Sequence, residues 1–154
     1  MTALGPLHFD PMVAIGPFGF GATWKTIEKM AGEPDFFDVD DVMKERRETR
    51  DKLVLYYRGP LGATRQVNRL RCITLHRGAD VLFNGIDLMN DRAVVNKLSD
   101  LDKPLYPENP YMVFRELGLI LGGFGRIKIK EKKLIMAYAK DARRDYEEFA
   151  AKPF

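Results

Sequence analysis

Residues 69–88 read RLRCITLHRGADVLFNGIDL, and the reading of the whole fold turns on them. Leu70, Cys72, Thr74 and His76 alternate with Arg71, Ile73, Leu75 and Arg77, and the Ile, Leu and Thr content suits a pleated strand. Arg77-Gly78-Ala79-Asp80 supplies a turn, with Gly78 able to take the positive φ that a two-residue hairpin requires. Val81-Leu82-Phe83 is a continuous apolar run, the pattern of a strand buried on both faces. The stretch therefore predicts a central hairpin, followed at Asn84-Gly85 by a loop that starts a helix.

Upstream, Lys52 to Arg58 (KLVLYYR) is a strand ended by Gly59-Pro60, and residues 61–68 form a polar connection. Phe36, Phe37 and Val39 start a further strand, whereas Lys44 to Asp51 reads as a solvated loop or short helix of mixed charge. Thr23 is the N-cap of a short helix with Trp24, Ile27, Met30 and Ala31 on one face, Gly32 at its end and Pro34 to stop it. Met12 to Ile15 is an apolar run that can pair as an edge strand.

Downstream, Asn90 or Asp91 caps a second helix through Asp100, with Ala93, Val94, Leu98 and Leu101 on its apolar face. Pro104 to Pro110 makes an extended loop. Tyr111 to Leu117 and Leu119 to Leu121 are strands broken by Gly118, and Gly122 to Gly125 is a turn. Leu134 to Tyr138 is the last strand, and residues 141–151 form a C-terminal helix with Tyr146 and Phe149 inward.

Laid side by side, residues 16–83 and 84–138 share an order: glycine loop, short helix, proline stop, strand, turn, strand. The expected fold is α+β, a single domain over residues 1–154 with two similar halves. Each half is a short helix packed on antiparallel strands, and the C-terminal helix closes the chain.

Composition sets the class. At 154 residues, with 45% apolar and 31% charged residues, the chain has ordinary globular usage and length for its own core. A net charge of +3 from 25 basic and 22 acidic groups is a small excess on a mixed surface. No apolar run approaches the ~20 residues of a membrane-crossing helix. The opening MTALGPLHFDPM has neither the basic nor the apolar region of a signal peptide, and Cys72 stands alone, so a reduced, cytoplasmic location is expected.

Few residues carry a chemical signature. Gly16-x-x-Gly19-x-Gly21 precedes a helix but lacks the order of a dinucleotide loop, so tight packing of the loop is the expected role. Cys72 and His76 lie roughly 13 Å apart along a strand, too far for a nucleophile and its base, and Cys72 reads as a small core residue. Asp35, Asp38, Asp40 and Asp41 have the oxygens to hold a divalent cation but not the calcium-loop order; a solvated acidic turn that attracts a basic partner suits them better. Arg46, Arg47 and Arg50 sit among Glu45, Glu48 and Asp51, which favours local pairing. Arg126-Ile127-Lys128-Ile129-Lys130-Glu131-Lys132-Lys133 alternates, as a basic strand does, with Phe124 and Tyr138 flanking it. Such a strand serves either edge protection or nucleic-acid binding.

Gly19-x-Gly21-x-x-Trp24-x-x-Ile27-x-x-Met30-x-Gly32-x-Pro34 resembles the opening of small α+β modules of the beta-lactamase-inhibitor-like and outer-membrane assembly lipoprotein group, and several bacterial immunity proteins are built in similar ways. The resemblance covers about sixteen residues and implies a helix on an antiparallel sheet that acts by binding other proteins. The chain departs from the secreted members in having no disulfide pair and no lipidation cysteine near its start.

The expected function is non-catalytic protein binding, immunity- or adaptor-like, toward a protein partner such as a toxin or effector, with no metal or cofactor. Asp38, Asp40, Asp41, Arg46, Arg47, Tyr57, Arg126, Lys128 and Lys130 are the candidate partner-binding residues. The alternatives are nucleic-acid binding through residues 124–133 and an enzyme with a dispersed site.

Overall fold

The computed structural model describes residues 6–40, 45–58 and 68–152. Three short strands, β1 (Leu7–Asp10), β2 (Ala14–Ile15) and β3 (Phe18–Gly19), lead into helix α1 (Trp24–Ala31). Four more strands follow: β4 (Phe36–Val39), β5 (Arg46–Arg50), β6 (Leu53–Arg58) and β7 (Arg69–Leu75). Then come β8 (Val81–Phe83), β9 (Ile86–Asp87) and α2 (Val94–Ser99). The chain ends with β10 (Tyr111–Phe114), β11 (Leu119–Gly122), β12 (Leu134–Tyr138), a single 3₁₀ turn (Lys140–Ala142) and α3 (Arg143–Ala151). The class is mixed α+β, as expected, with a C-terminal helix. No helix among the described residues is long and apolar enough to cross a membrane.

The strands form two sheets, one in the order β3-β2-β1-β8-β9 and a larger one in the order β10-β11-β12-β7-β6-β5-β4. This overturns the central hairpin. β7 is flanked on one side by β6 and on the other by β12, with Leu75 opposite both Leu53 and Ile135. A strand has two hydrogen-bonding edges, and both are taken, so β8 has nowhere to pair with β7. The turn at 76–80 forms where expected, with the His76 carbonyl accepting from Ala79 N–H at 2.9 Å and Gly78 at φ 93°. It is a corner between sheets: β8 leaves to run parallel to β1, with Leu7 opposite Val81.

One face of the large sheet packs on the small sheet, α1 and α2. Leu53, Leu55, Leu70, Ile73, Leu75, Leu119, Leu121 and Ile135 meet Phe9, Ile15, Phe18, Val81, Ile27 and Leu98 in one core. α3 covers part of the other face, where Tyr146 and Ala150 pack with Cys72, Val113, Ile120 and Tyr138. Cys72 is thus a core residue, and burial pushes its thiol up to about 12. Gly16, at φ 54°, packs so closely that an added Cβ would lie 2.8 Å from Leu7 Cδ2. An added Cβ at Gly19 or Gly21 would meet nothing within 4 Å, so tight packing holds for the first glycine of that loop and not for the other two.

α1 has the expected cap, with Thr23 Oγ1 accepting from Thr26 N–H at 3.2 Å and Gly32 at φ 79°. Only Ile27 of its expected face is fully buried, and Met30 is exposed. Leu101 and Phe149 are also exposed, Phe149 resting on the Tyr111 ring instead of entering the core.

Two further expectations need correction. Arg46–Arg50, expected in a loop or helix, is a full strand of the large sheet, paired with both β4 and β6. Residues 124–133, expected as a basic strand, lie in an irregular loop between β11 and β12. Ile129 accounts for that loop. Its side chain sits over Gly122 and Gly123, where an added Cβ would meet it at 3.0–3.1 Å, so the apolar half of the alternation packs back on its own hairpin. The connection at 59–67 lies outside the described residues.

Candidate functional site

The structure gathers one part of the expected site and separates the other from it. Asp38, Asp40, Arg46, Arg47 and Tyr57 all fall on or beside β4, β5 and β6, at one end of the large sheet. Arg126, Lys128 and Lys130 lie on the β11–β12 loop, among the strands of the other half of that sheet. Asp41 lies outside the described residues.

Alternation along β5 divides its charges between the two faces. Arg46, Glu48 and Arg50 point inward and are buried, whereas Arg47 points out. The Arg46 guanidinium is held between the Trp24 ring of α1 and the Phe37 ring of β4, 4.1 Å from each centroid. Its Nε donates to Glu48 Oε2 at 2.9 Å. Glu48 Oε1 accepts from Arg50 Nε at 3.2 Å and from the Tyr57 hydroxyl at 2.9 Å. Burial, followed by the Glu48 charge, raises the Tyr57 phenol well above its ordinary range, so Tyr57 is a neutral donor to Glu48. Arg46 and Tyr57, expected to face a partner, are interior groups. They brace the sheet end from within.

Outward, Arg47 makes a two-pronged pair with Asp38 across the strands, at 3.0 and 2.9 Å. Asp40 N–H donates to the Glu45 carbonyl and closes the β4–β5 pairing. Glu45 in turn pairs with Arg58 at 2.9 Å; burial raises its carboxyl above the usual value, and Arg58 opposes that rise. Asp35 accepts from Asp51 N–H at 2.7 Å. The carboxylates of Asp35, Asp38 and Glu45 thus serve the protein's own donors.

Large apolar groups are exposed at this end beside the charged ones. Phe36, Phe37 and Val39 are 62%, 52% and 50% exposed on β4, the last strand in the order. Among the described residues β4 pairs with β5 on one side and with no strand on the other. An exposed apolar edge is what sheet proteins ordinarily avoid. The sequence names these residues as strand residues, but their exposure depends on β4 being terminal, which no local pattern encodes.

Lys128 belongs to a second feature. A cleft of about 1040 Å³ opens between the 76–80 corner, the loop after β9 and the β11–β12 loop. Arg77, Arg92, Lys128, Lys132 and Lys133 line it, and no acidic residue does among the described residues. Arg126 and Lys130 are exposed but do not line the cleft. Three segments distant in sequence contribute these cations, so the sequence pattern marks only the Lys-rich loop. Comparison with protein-family models, curated proteins and solved structures finds no match to this chain.

Proposed function

We propose that the protein acts by binding another protein, in an immunity- or adaptor-like role toward a toxin or effector, and that the contact is made at β4. An extended segment of the partner adds to the open edge of this strand. Its apolar side chains cover Phe36 on one face and Phe37 and Val39 on the other. The observation that carries this reading is the exposure of three large apolar residues on a terminal strand. Main-chain hydrogen bonds supply affinity in such strand addition, and alternate side chains supply specificity. The Arg46 sandwich supports it by fixing Phe37 from below, which lowers the entropy lost when a partner immobilises that ring.

A construction from two related halves belongs to the same proposal. Its support is that α1 and α2 each precede an antiparallel meander, β4 to β7 and β10 to β12, and that the meanders meet where β7 pairs with β12.

The test is quantitative binding to a protein captured from the native lysate, with wild type beside Phe36→Lys and Val39→Lys. Both substitutions are at exposed positions. The expected result is a loss of affinity of about tenfold or more for each, since apolar anchors dominate interface energies. Unchanged affinity in both variants sinks the proposal. Pairing of β4 with a second copy of itself, visible as a dimer that Phe36→Lys dissolves, replaces it.

A further inference from the structure

We infer that the cleft between the 76–80 corner and the β11–β12 loop binds a compact anion carrying several phosphate groups. Charge is the first ground. Arg77, Arg92, Lys128, Lys132 and Lys133 surround one concavity. None of the five forms an ion pair with a carboxylate among the described residues. Other cations are paired with carboxylates, among them Arg46 on β5, Lys97 on α2 and Arg144 on α3. Five like charges around one cleft repel each other, and a multiply charged anion removes that repulsion.

Shape is the second ground. At about 1040 Å³ the cleft is at the upper end of small-ligand sites. Its rim has a set backbone at Gly123, which has φ 77° and where an added Cβ would lie 2.0 Å from the Lys132 carbonyl oxygen. The two ends of the β11–β12 loop are therefore pressed together, which holds Lys132 and Lys133 beside the cleft. Gly78, at φ 93°, turns the opposite wall.

The residue types choose the anion. Arginine forks match phosphate oxygens two at a time, and lysines supply movable point charges. A nucleic-acid strand is disfavoured on two counts. The cations converge on a concavity and do not run along a track, and among the described residues no aromatic ring lines it to stack a base. Phe124, the nearest ring in sequence, has the Lys133 ammonium over its face at 4.9 Å.

The experiment is calorimetric titration of the full chain with tripolyphosphate and, separately, with a single-stranded RNA decamer. Variants Arg92→Glu and Lys128→Glu are compared with Arg144→Glu, an exposed reversal on α3. Tripolyphosphate is expected to bind wild type, to weaken about tenfold or more in each cleft variant, and to be unaffected by Arg144→Glu. Absence of tripolyphosphate binding overturns the inference, as does equal weakening by Arg144→Glu, which would mean diffuse attraction to a basic surface. Binding of the decamer without tripolyphosphate also overturns it, in favour of a nucleic-acid surface. Circular dichroism of each variant excludes unfolding as the cause, and Phe36→Lys is expected to titrate like wild type, which keeps this inference separable from the role of β4.

Discussion

Two regions of this molecule concentrate charge, and they use it in opposite ways. Beneath β5 and β6, Glu48 accepts from Arg46 Nε, Arg50 Nε and the Tyr57 hydroxyl in the interior, with aromatic rings on both sides of Arg46. Only the buried Arg50 Nη2 of this cluster lacks a hydrogen-bond partner among the described residues. Around the cleft, five cations stand together without a carboxylate partner among the described residues. Similar side chains are structural in the first place, because desolvation makes every missing partner costly. In the second they are solvated and cheap to keep, so their assembly around one cavity has no evident structural use. Compensation, more than the density of charge, separates a brace from a binding site.

The sharpest way to break this contrast is Glu48→Ala. It leaves two buried guanidinium groups without their carboxylate, and stability measured by urea denaturation is expected to fall by about 3–5 kcal/mol. A loss under about 1 kcal/mol would mean that water reaches the cluster and that its burial is not what matters.

Gly123→Ala comes next, because it attacks the cleft through its backbone. The left-handed φ and the close Lys132 carbonyl leave no room for a methyl group, and the expected cost is about 1–3 kcal/mol. Tripolyphosphate titration of the same variant is expected to show weakened binding, although no charge has been removed.

Asp38→Asn tests the outward face of the strands that carry the buried cluster. The Asp38–Arg47 pair is bidentate but half exposed, so the expected change is about 0.2–1 kcal/mol, smaller in high salt. Lys128→Ala is the mildest. Stability is expected to stay within about 0.5 kcal/mol of wild type, while anion affinity falls. A large loss of stability from Lys128→Ala would recast the cleft cations as structural.

The pH dependence of Cys72 offers an independent check on the covered face of the sheet. Burial holds its thiol up to about 12, so an Ellman-type reagent at pH 8 is expected to react with it only after denaturation. Rapid reaction in the native state would show that α3 opens.

The sequence by itself determined most local structure: the capped helix at Thr23, the strands at 53–58, 69–75 and 134–138, the corner at Gly78 and the core role of Cys72. These follow from short-range causes, namely hydrophobic period, cap chemistry and the φ that glycine permits. Tertiary structure decided the rest. Val81-Leu82-Phe83 looks like the partner of β7, yet it joins another sheet because β6 and β12 had filled both edges of β7. Arg46-Arg47-Glu48-Thr49-Arg50 looks solvated, and it is a strand because Trp24, Phe37 and Tyr57 meet its inward side. The cleft cations come from three separate segments, and β4 exposes its phenylalanines only because it stands last in the sheet. Which edges are occupied, and which charges find partners, are properties of the assembled chain, since each depends on segments far apart in sequence.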